Sequence, residues 1–181
     1  MTEPLDLSTH PGVGRVRAAL HAAGVDDAAD RIQVLDTSAR TAAEAAASLG
    51  VGVAQIANSL VFVAHPRPDA VGGADPYPVL VLASGGHRVD PGLLAEALDV
   101  AEVRKAPADL VRQATGFVIG GVAPVGHTHE LPTVVDADLA HLGELWAAAG
   151  HPHTVFPTTH DELVRLTGGR SAVVSGDPTS G

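Results

Sequence analysis

An α+β domain with a mixed sheet is the fold class the sequence predicts, and three observations predict it. Helix-spaced and strand-patterned segments follow one another without a regular strand–helix–strand rhythm. Several neighbouring strand segments have connections too short for a crossover, so they run antiparallel, and the sheet as a whole is mixed and largely antiparallel. The 181 residues suit a single domain, and a chain of that length buries roughly 70% of its unfolded surface without staples. Hydrophobic content is 45% and aromatic content 3%, so the core is aliphatic. There is no internal repeat.

Residues 1–11 read as a flexible leader, 12–175 as the domain and 176–181 as a disordered tail. Gly12 to Ala23 is a helix with Val13, Val16 and Leu20 on one face. Arg31 to Asp36 alternates as a strand. Thr41 and Glu44 form a capping box for an Ala-rich helix that Gly50 ends. The polar triplet Gln55, Asn58 and Ser59 leads into the apolar run Leu60–Ala64, the pattern of a central strand. Four prolines and two glycines make 65–78 a surface loop. Pro78 to Ala83 is the hairpin partner of 60–64. Asp90 and Pro91 start a helix as cap and first residue. Ala101 to Arg104 is a short strand, and Pro107 to Thr115 is a helix closed by Gly116. Strands follow at 131–135, 144–149, 154–157 and 170–175. A short helix spans 136–142, and a second Thr-x-x-Glu box at Thr159 opens a helix that Gly168 ends.

Composition excludes several chemistries. Without cysteine there are no disulfides, no thiolate nucleophile and no Cys-based zinc site. Met1 to Thr9 is polar and acidic and lacks the pattern of a signal peptide. No apolar run approaches the ~20 residues that span a bilayer. A cytoplasmic protein without membrane contact is expected. The net charge of −10 and the single lysine, Lys105, argue against DNA and against independent, non-specific nucleic-acid binding. Any RNA contact rests on a local patch such as Arg104, Lys105 and Arg112, with Arg15, Arg17 and Arg88 as contributors.

The segment Thr115–His127 carries four glycines and a proline among apolar residues. Glycine admits close approach and positive φ, and proline fixes φ, so this loop is pre-shaped. It follows a helix rather than opening one, unlike a Rossmann or P-loop fingerprint. As a plain connection it would be a tight helix-to-strand turn. Asn58 and Ser59 stand at a strand start, where they either build a site or satisfy local backbone. His127 with His129, and His151 with His153, are spaced for metal pairs but lack a matching carboxylate set. Ser59 with a histidine and Asp136 spells a triad on paper, yet no nucleophile elbow surrounds the serine.

Taken together, Gln55–Phe62, Val79–Ala83, Gly86–Asp90, Thr115–Pro124, Leu131–Asp136 and Asp161–Gly168 resemble the YbaK/prolyl-tRNA synthetase-associated editing domain family. The likeness spans roughly residues 12–174. It implies a curved mixed sheet wrapped by helices, and hydrolysis of amino acids wrongly attached to tRNA, most often tRNA for proline. It implies that the Gly-x-x-x-Pro loop, Gly120 to Pro124, holds the aminoacyl-adenosine end, with the substrate's own ribose hydroxyl helping to activate water. The catalytic positions are then Asn58, Gly120 and Gly121. The substrate-binding positions are Ser59, Val122, Ala123, Pro124, Asp136, His87 and Arg88, with no metal and no cofactor. The partners implied are the 3′ end of an aminoacyl-tRNA, held weakly by so acidic a chain, and an aminoacyl-tRNA synthetase. Editing relatives usually carry lysine where this chain has Asn58; asparagine keeps a hydrogen-bonding group and loses the charge. The alternative reading is a catalytically silent protein of this fold that binds an aminoacyl-nucleotide or a synthetase.

Overall fold

The computed structural model describes residues 6–36, 39, 41–72 and 74–176. Residues 1–5 of the expected leader and 177–181 of the expected tail lie outside them. The helices are α1 (Pro11–Ala22), α2 (Asp26–Asp30), α3 (Ala42–Leu49), α4 (Pro91–Leu98), α5 (Ala108–Thr115) and α6 (His160–Thr167). The strands are β1 (Gln33–Val34), β2 (Ile56–His65), β3 (Tyr77–Ser84), β4 (Glu102–Lys105), β5 (Thr133–Asp136), β6 (Leu145–Ala148), β7 (Thr154–Thr158) and β8 (Arg170–Ala172). They form one sheet in the order β1-β7-β6-β2-β3-β5-β8, with β4 also on β2. The β2–β3, β2–β4, β6–β7 and β1–β7 pairs are antiparallel, whereas β2–β6, β3–β5 and β5–β8 are parallel.

The caps expected from the sequence are present. Thr41 Oγ1 accepts the Glu44 N–H at 3.2 Å, and the Glu44 carboxylate accepts the Thr41 N–H at 3.0 Å. Asp90 accepts the N–H groups of Gly92 and Leu93. At α6 only half of the box forms. Thr159 Oγ1 accepts the Glu162 N–H, but the Glu162 carboxylate takes the Thr158 hydroxyl at 2.8 Å. The first helix begins at Pro11 with His10 as its cap, and Leu7 is buried, so the fold reaches back into the segment expected to be a leader. The expected strand at 31–36 is ordered as only two paired residues. The expected helix at 136–142 is a 3₁₀ turn over Ala137–His141. Helix α2 and a 3₁₀ turn at Val53–Gln55 carry no signal that sequence reading caught.

Alternation along the strands divides the core. Val16, Leu20, Val111, Ala114 and Leu163 from α1, α5 and α6 meet Ala57, Val61, Leu80 and Leu82 on one face. On the other, α4 covers Phe62, Ala64, Val79, Val81 and Ala83 through Leu94 and Ala95. Ala45 and Ala46 of α3 pack on Ile56, Trp146 and Val155 at the β6–β7 end.

Arg15 on α1 ties the glycine-rich segment to this core. Its guanidinium donates to the carbonyls of Gly116 (2.9 Å) and Gly126 (3.2 Å) and lies 4.7 Å from the centre of the Phe117 ring. Gly116 has φ +78°, and a Cβ there would stand 2.7 Å from Thr128 Cγ2, so the position needs glycine. Thr115, fully buried, donates to the Val111 carbonyl and accepts the Phe117 N–H. The Thr128 N–H returns to the Thr115 carbonyl at 3.2 Å and closes the loop on itself. Arg15, expected as a possible RNA contact, is therefore spent inside the fold.

Replacing Arg15 by Ala removes two charge-assisted bonds and a ring contact. Denaturant unfolding should show a loss of about 2 kcal/mol. An unchanged midpoint would show that the loop does not depend on it. His127 donates its Nε2–H to the Ala123 carbonyl, 2.6 Å away. Burial first, and then the Arg15 charge, hold its pKa below the usual 6.5 despite that carbonyl. A depressed folded value means its stabilisation is present above about pH 6.5 and is lost as pH falls through the folded pKa. Thermal melting below pH 6.5 should decline less steeply in His127→Gln than in the wild type; equal slopes would refute this.

Candidate functional site

Strand β2 pairs along one whole edge with β3, from Ala57↔Ser84 to Ala64↔Tyr77. Its other edge is shared by two strands. Ile56 and Ala57 pair with β6, and Phe62 to His65 pair with β4. A gap is left between them at Asn58–Val61. The parity of the hydrogen bonds shows what faces the gap. Gly85 N–H reaches the Ile56 carbonyl on the β3 side, and Ala106 N–H reaches the Val61 carbonyl on the other. Ser59 shares the parity of Val61, so its backbone N–H and carbonyl point into the gap. Neither has a backbone partner among the described residues. The Ser59 hydroxyl is buried and has no hydrogen-bond partner either. Buried polar groups are rarely left so.

The glycine-rich loop crosses this gap. One cavity is lined by Ala42, Ala45, Ile56, Asn58, Trp146 and Pro152, with Gly120 of the loop. A second is lined by Leu60, Val61, Lys105, Val111 and Ile119. Ser59 and Val122 belong to both. No charged side chain lines the first cavity among the described residues. Asn58 is solvent-exposed, on the strand face opposite Ser59.

Gly121 is turned away from both cavities. Its N–H donates to the Val118 carbonyl at 3.0 Å. A Cβ on it would lie 2.9 Å from the backbone of His151 and Pro152. It lacks a side chain so that the loop can rest on the His151–Pro152 turn, and its N–H is already taken. The rings of His10, His151 and His153 cluster beneath that turn, with centroids 4.9 and 5.2 Å apart. Burial, then the charges of His10 and His153, lower the His151 pKa.

The structure thus gathers Asn58, Ser59, Gly120 and Val122, and it separates the rest. Ala123 is fully buried in the core. Pro124 lines a different groove, with Val125 to Thr133 and the end of α6. Asp136 and His87 meet each other at 3.0 Å but line neither cavity. Asp136 accepts the N–H groups of Ser84 and Asp138, clamping the end of β3 to the turn after β5. His87 Nε2 lies 3.7 Å from Asp138, and these three residues are spaced to hold a cation. Asp138 was not singled out by the sequence, where one carboxylate two residues from another is an ordinary 3₁₀ start. Arg88 is exposed. Of the histidine pairs, His127 and His129 turn to Ala123 and Thr128 respectively. Sequence reading missed Ala42, Ala45 and Trp146 in the cavity wall, since only the packing of α3 and β6 across the sheet brings them there.

Comparison with known proteins agrees with this architecture. Residues 36–166 match the aminoacyl-tRNA editing domain family. YwhH of Bacillus subtilis (strain 168) is 28% identical over 128 residues, 71% of this chain and 75% of that protein. The crystal structure of a candidate trans-editing enzyme for prolyl tRNA synthetase superposes with a TM-score of 0.79. It is 39% identical, and the match covers 92% of this chain and 98% of that one. A scaffold protein used in computational epitope backbone grafting gives 0.78 at 34% identity, over 93% and 99% of the two chains. The fold, the loop and the sequence match together make this chain a member of the aminoacyl-tRNA editing domain family.

Proposed function

We propose that the chain is a free-standing deacylase that hydrolyses the ester of mischarged tRNA, with tRNA for proline carrying a small amino acid as substrate. The observation that carries this reading is the gap in the β2 edge, where an unpartnered Ser59 hydroxyl and backbone lie under Gly120 and Val122. The family match and the candidate trans-editing neighbour support the chemistry and the choice of tRNA.

The reaction needs little machinery. Water attacks the ester carbonyl carbon, and the bond from that carbon to the ribose oxygen breaks. A free amino acid leaves, and the tRNA regains its terminal hydroxyl. An activated ester held in line with water gains several kcal/mol from positioning alone. In our reading the aminoacyl group enters the cavity beside Asn58, where Ala42 and Ala45 leave room for a small side chain. The Ser59 hydroxyl and N–H supply donors where negative charge develops on the carbonyl oxygen, and the Asn58 amide, on the other face of the strand, offers a hydrogen bond to the aminoacyl group. Gly120 and Val122 bound the ester from the other side, and Gly121 sets their height on the His151–Pro152 turn. Asp136 and His87 act at a distance, by fixing the turns that end β3 and β5.

Affinity for the tRNA body is expected to be weak. Arg31, Arg67, Arg104 and Arg165 are paired with acidic residues, and Arg15 and Arg170 with carbonyls, so Arg17, Arg88, Lys105 and Arg112 are the cations left for phosphate among the described residues, in a chain of net charge −10. A synthetase partner would supply the missing grip.

Single-turnover deacylation of proline tRNA charged with alanine, cysteine, serine and proline tests the reading. Hydrolysis of one mischarged ester with prolyl-tRNA spared supports it. Inertness of the wild type on all four, with activity gained in Asn58→Lys, would instead establish a silent binding protein. Two variants separate site from scaffold. Ser59→Ala deletes a buried, unpaired hydroxyl, so stability should hold or rise while turnover falls about tenfold or more. Gly121→Ala forces the loop off the His151–Pro152 turn; turnover should fall with it, and full activity in that variant would overturn the role given to the loop.

A further inference from the structure

The turn after β3 and the turn after β5 meet at three side chains, His87, Asp136 and Asp138, that line neither cavity over the β2 gap. Ser84 to His87 is a tight turn, closed by the His87 N–H on the Ser84 carbonyl at 2.9 Å. Gly85 has no room for a side chain, since a Cβ there would stand 2.6 Å from the Val53 carbonyl oxygen. The turn folds the His87 ring back against the end of β5, where its side chain is only 3% exposed. The buried Asp136 carboxylate takes the Ser84 N–H and the His87 Nδ1–H on one oxygen, each at 3.0 Å. Its other oxygen accepts the Asp138 N–H at 3.1 Å, which brings the Asp138 carboxylate round to the second ring nitrogen. With Nδ1 protonated, that nitrogen, Nε2, carries a lone pair. It is buried and makes no hydrogen bond, and the Asp138 oxygen facing it is 3.7 Å away, too far for one. A buried nitrogen left so costs free energy, and two lone pairs that face each other call for a cation between them. The distance suits one: bonds of about 2.1 Å to each atom span 3.7 Å at an angle of roughly 120°. The Asp138 side chain is 28% exposed, which leaves the ion an approach and room for water in its remaining positions.

We propose that His87 Nε2 and Asp138 Oδ2 bind a divalent transition-metal ion, zinc above all, with Asp136 as the carboxylate behind the histidine. Metal-bound histidines commonly donate their second ring N–H to a carboxylate, which fixes tautomer and ring orientation, and the Asp136–His87 bond is such a pair. The donor set selects the metal. An imidazole nitrogen beside a carboxylate suits zinc, whereas calcium takes about six to eight oxygens and magnesium prefers oxygen and water. Two protein ligands make it a weaker site than a closed four-ligand one. The ion joins the turn after β3 to the turn after β5, so it acts on the stability of that corner. It stands apart from Ser59, and the inference does not rest on the hydrolysis proposed above.

Chelator-treated wild type and Asp138→Asn, each titrated with zinc, test the site. The substitution keeps the shape of the side chain and the backbone bond to Asp136 while removing the charged ligand. In long-range ¹H–¹⁵N spectra of the histidine rings, zinc should move His87 Nε2 to the metal-bound range and leave Nδ1 protonated. Calorimetry should find that Asp138→Asn binds at least about tenfold more weakly, since loss of even an outer partner costs that much. At about a hundredfold excess over its dissociation constant, zinc should raise the wild-type melting temperature by about 5 °C or more, and the variant's by less than half as much. Magnesium and calcium should leave both unchanged. Equal zinc affinity in Asp138→Asn would overturn the site. So would zinc held by the His10, His151 and His153 rings with His87 unmoved. A His87 ring protonated at both nitrogens in saturating zinc would show a proton rather than an ion between the two carboxylates, and would overturn it as well. The wild-type spectrum decides the matter even where the variant fails to fold.

Discussion

Strand β2 has to serve three partners with two edges, and the rest of the molecule is arranged around that constraint. Full-length pairing with β3 consumes one edge. The other is divided between β6, which runs parallel to its start, and β4, which runs antiparallel to its end. Two strands approaching the same edge from opposite ends leave backbone unpaired where they fail to meet. In most sheets such a vacancy is a liability, because bare N–H and C=O groups recruit other strands. Here it lies in the middle of the sheet, covered by a loop that cannot form a strand.

That loop is the second half of the arrangement. Its glycines and proline keep it out of the sheet, and its ends are fastened to one another. Thr128 returns to Thr115, and Arg15 reaches both Gly116 and Gly126 from a different helix. Rigid closure lets Gly120 and Val122 stand over Ser59 at a fixed height while Gly121 rests on the His151–Pro152 turn. Leaving the Ser59 hydroxyl unpartnered costs stability. A binding site commonly bears such a cost, since a group already satisfied inside the protein has nothing to offer a ligand.

Much of the fold was legible in the residues. The capping box at Thr41, the Asp90–Pro91 start and the continuous apolar runs of β2 and β3 each rest on local chemistry, and these elements lie within a residue or two of their expected places, except that β2 begins at Ile56, four residues before the apolar run, and so takes Asn58 and Ser59 into the strand. Helix α2 was not legible, because Asp26 to Asp30 is too short for a helical period and is held by contact with α1 and β7. The site was legible in part. Asn58, Ser59 and the glycine-rich run announce themselves as polar or glycine residues where a strand wants bulk. Asp136 and His87 looked alike in kind, yet they clamp two turns elsewhere. Nothing in a sequence separates a carboxylate that greets a ligand from one that caps a strand.

The sequence by itself determined most of the elements, the aliphatic core, the pre-shaped loop and the family to which they belong, since all of these follow from short-range spacing and residue type. Tertiary structure alone decided where strands end against one another. Register placed Ser59 rather than Asn58 with its backbone in the gap, and packing brought α3 and Trp146 to one side and Lys105 to the other. It also turned Arg15 inward and left Lys105 without an ion pair among the described residues, although both are plain cations in the sequence. The physical reason is common to all of these: a side chain's role depends on which groups satisfy its neighbours, and those groups come from segments as far as 111 residues away.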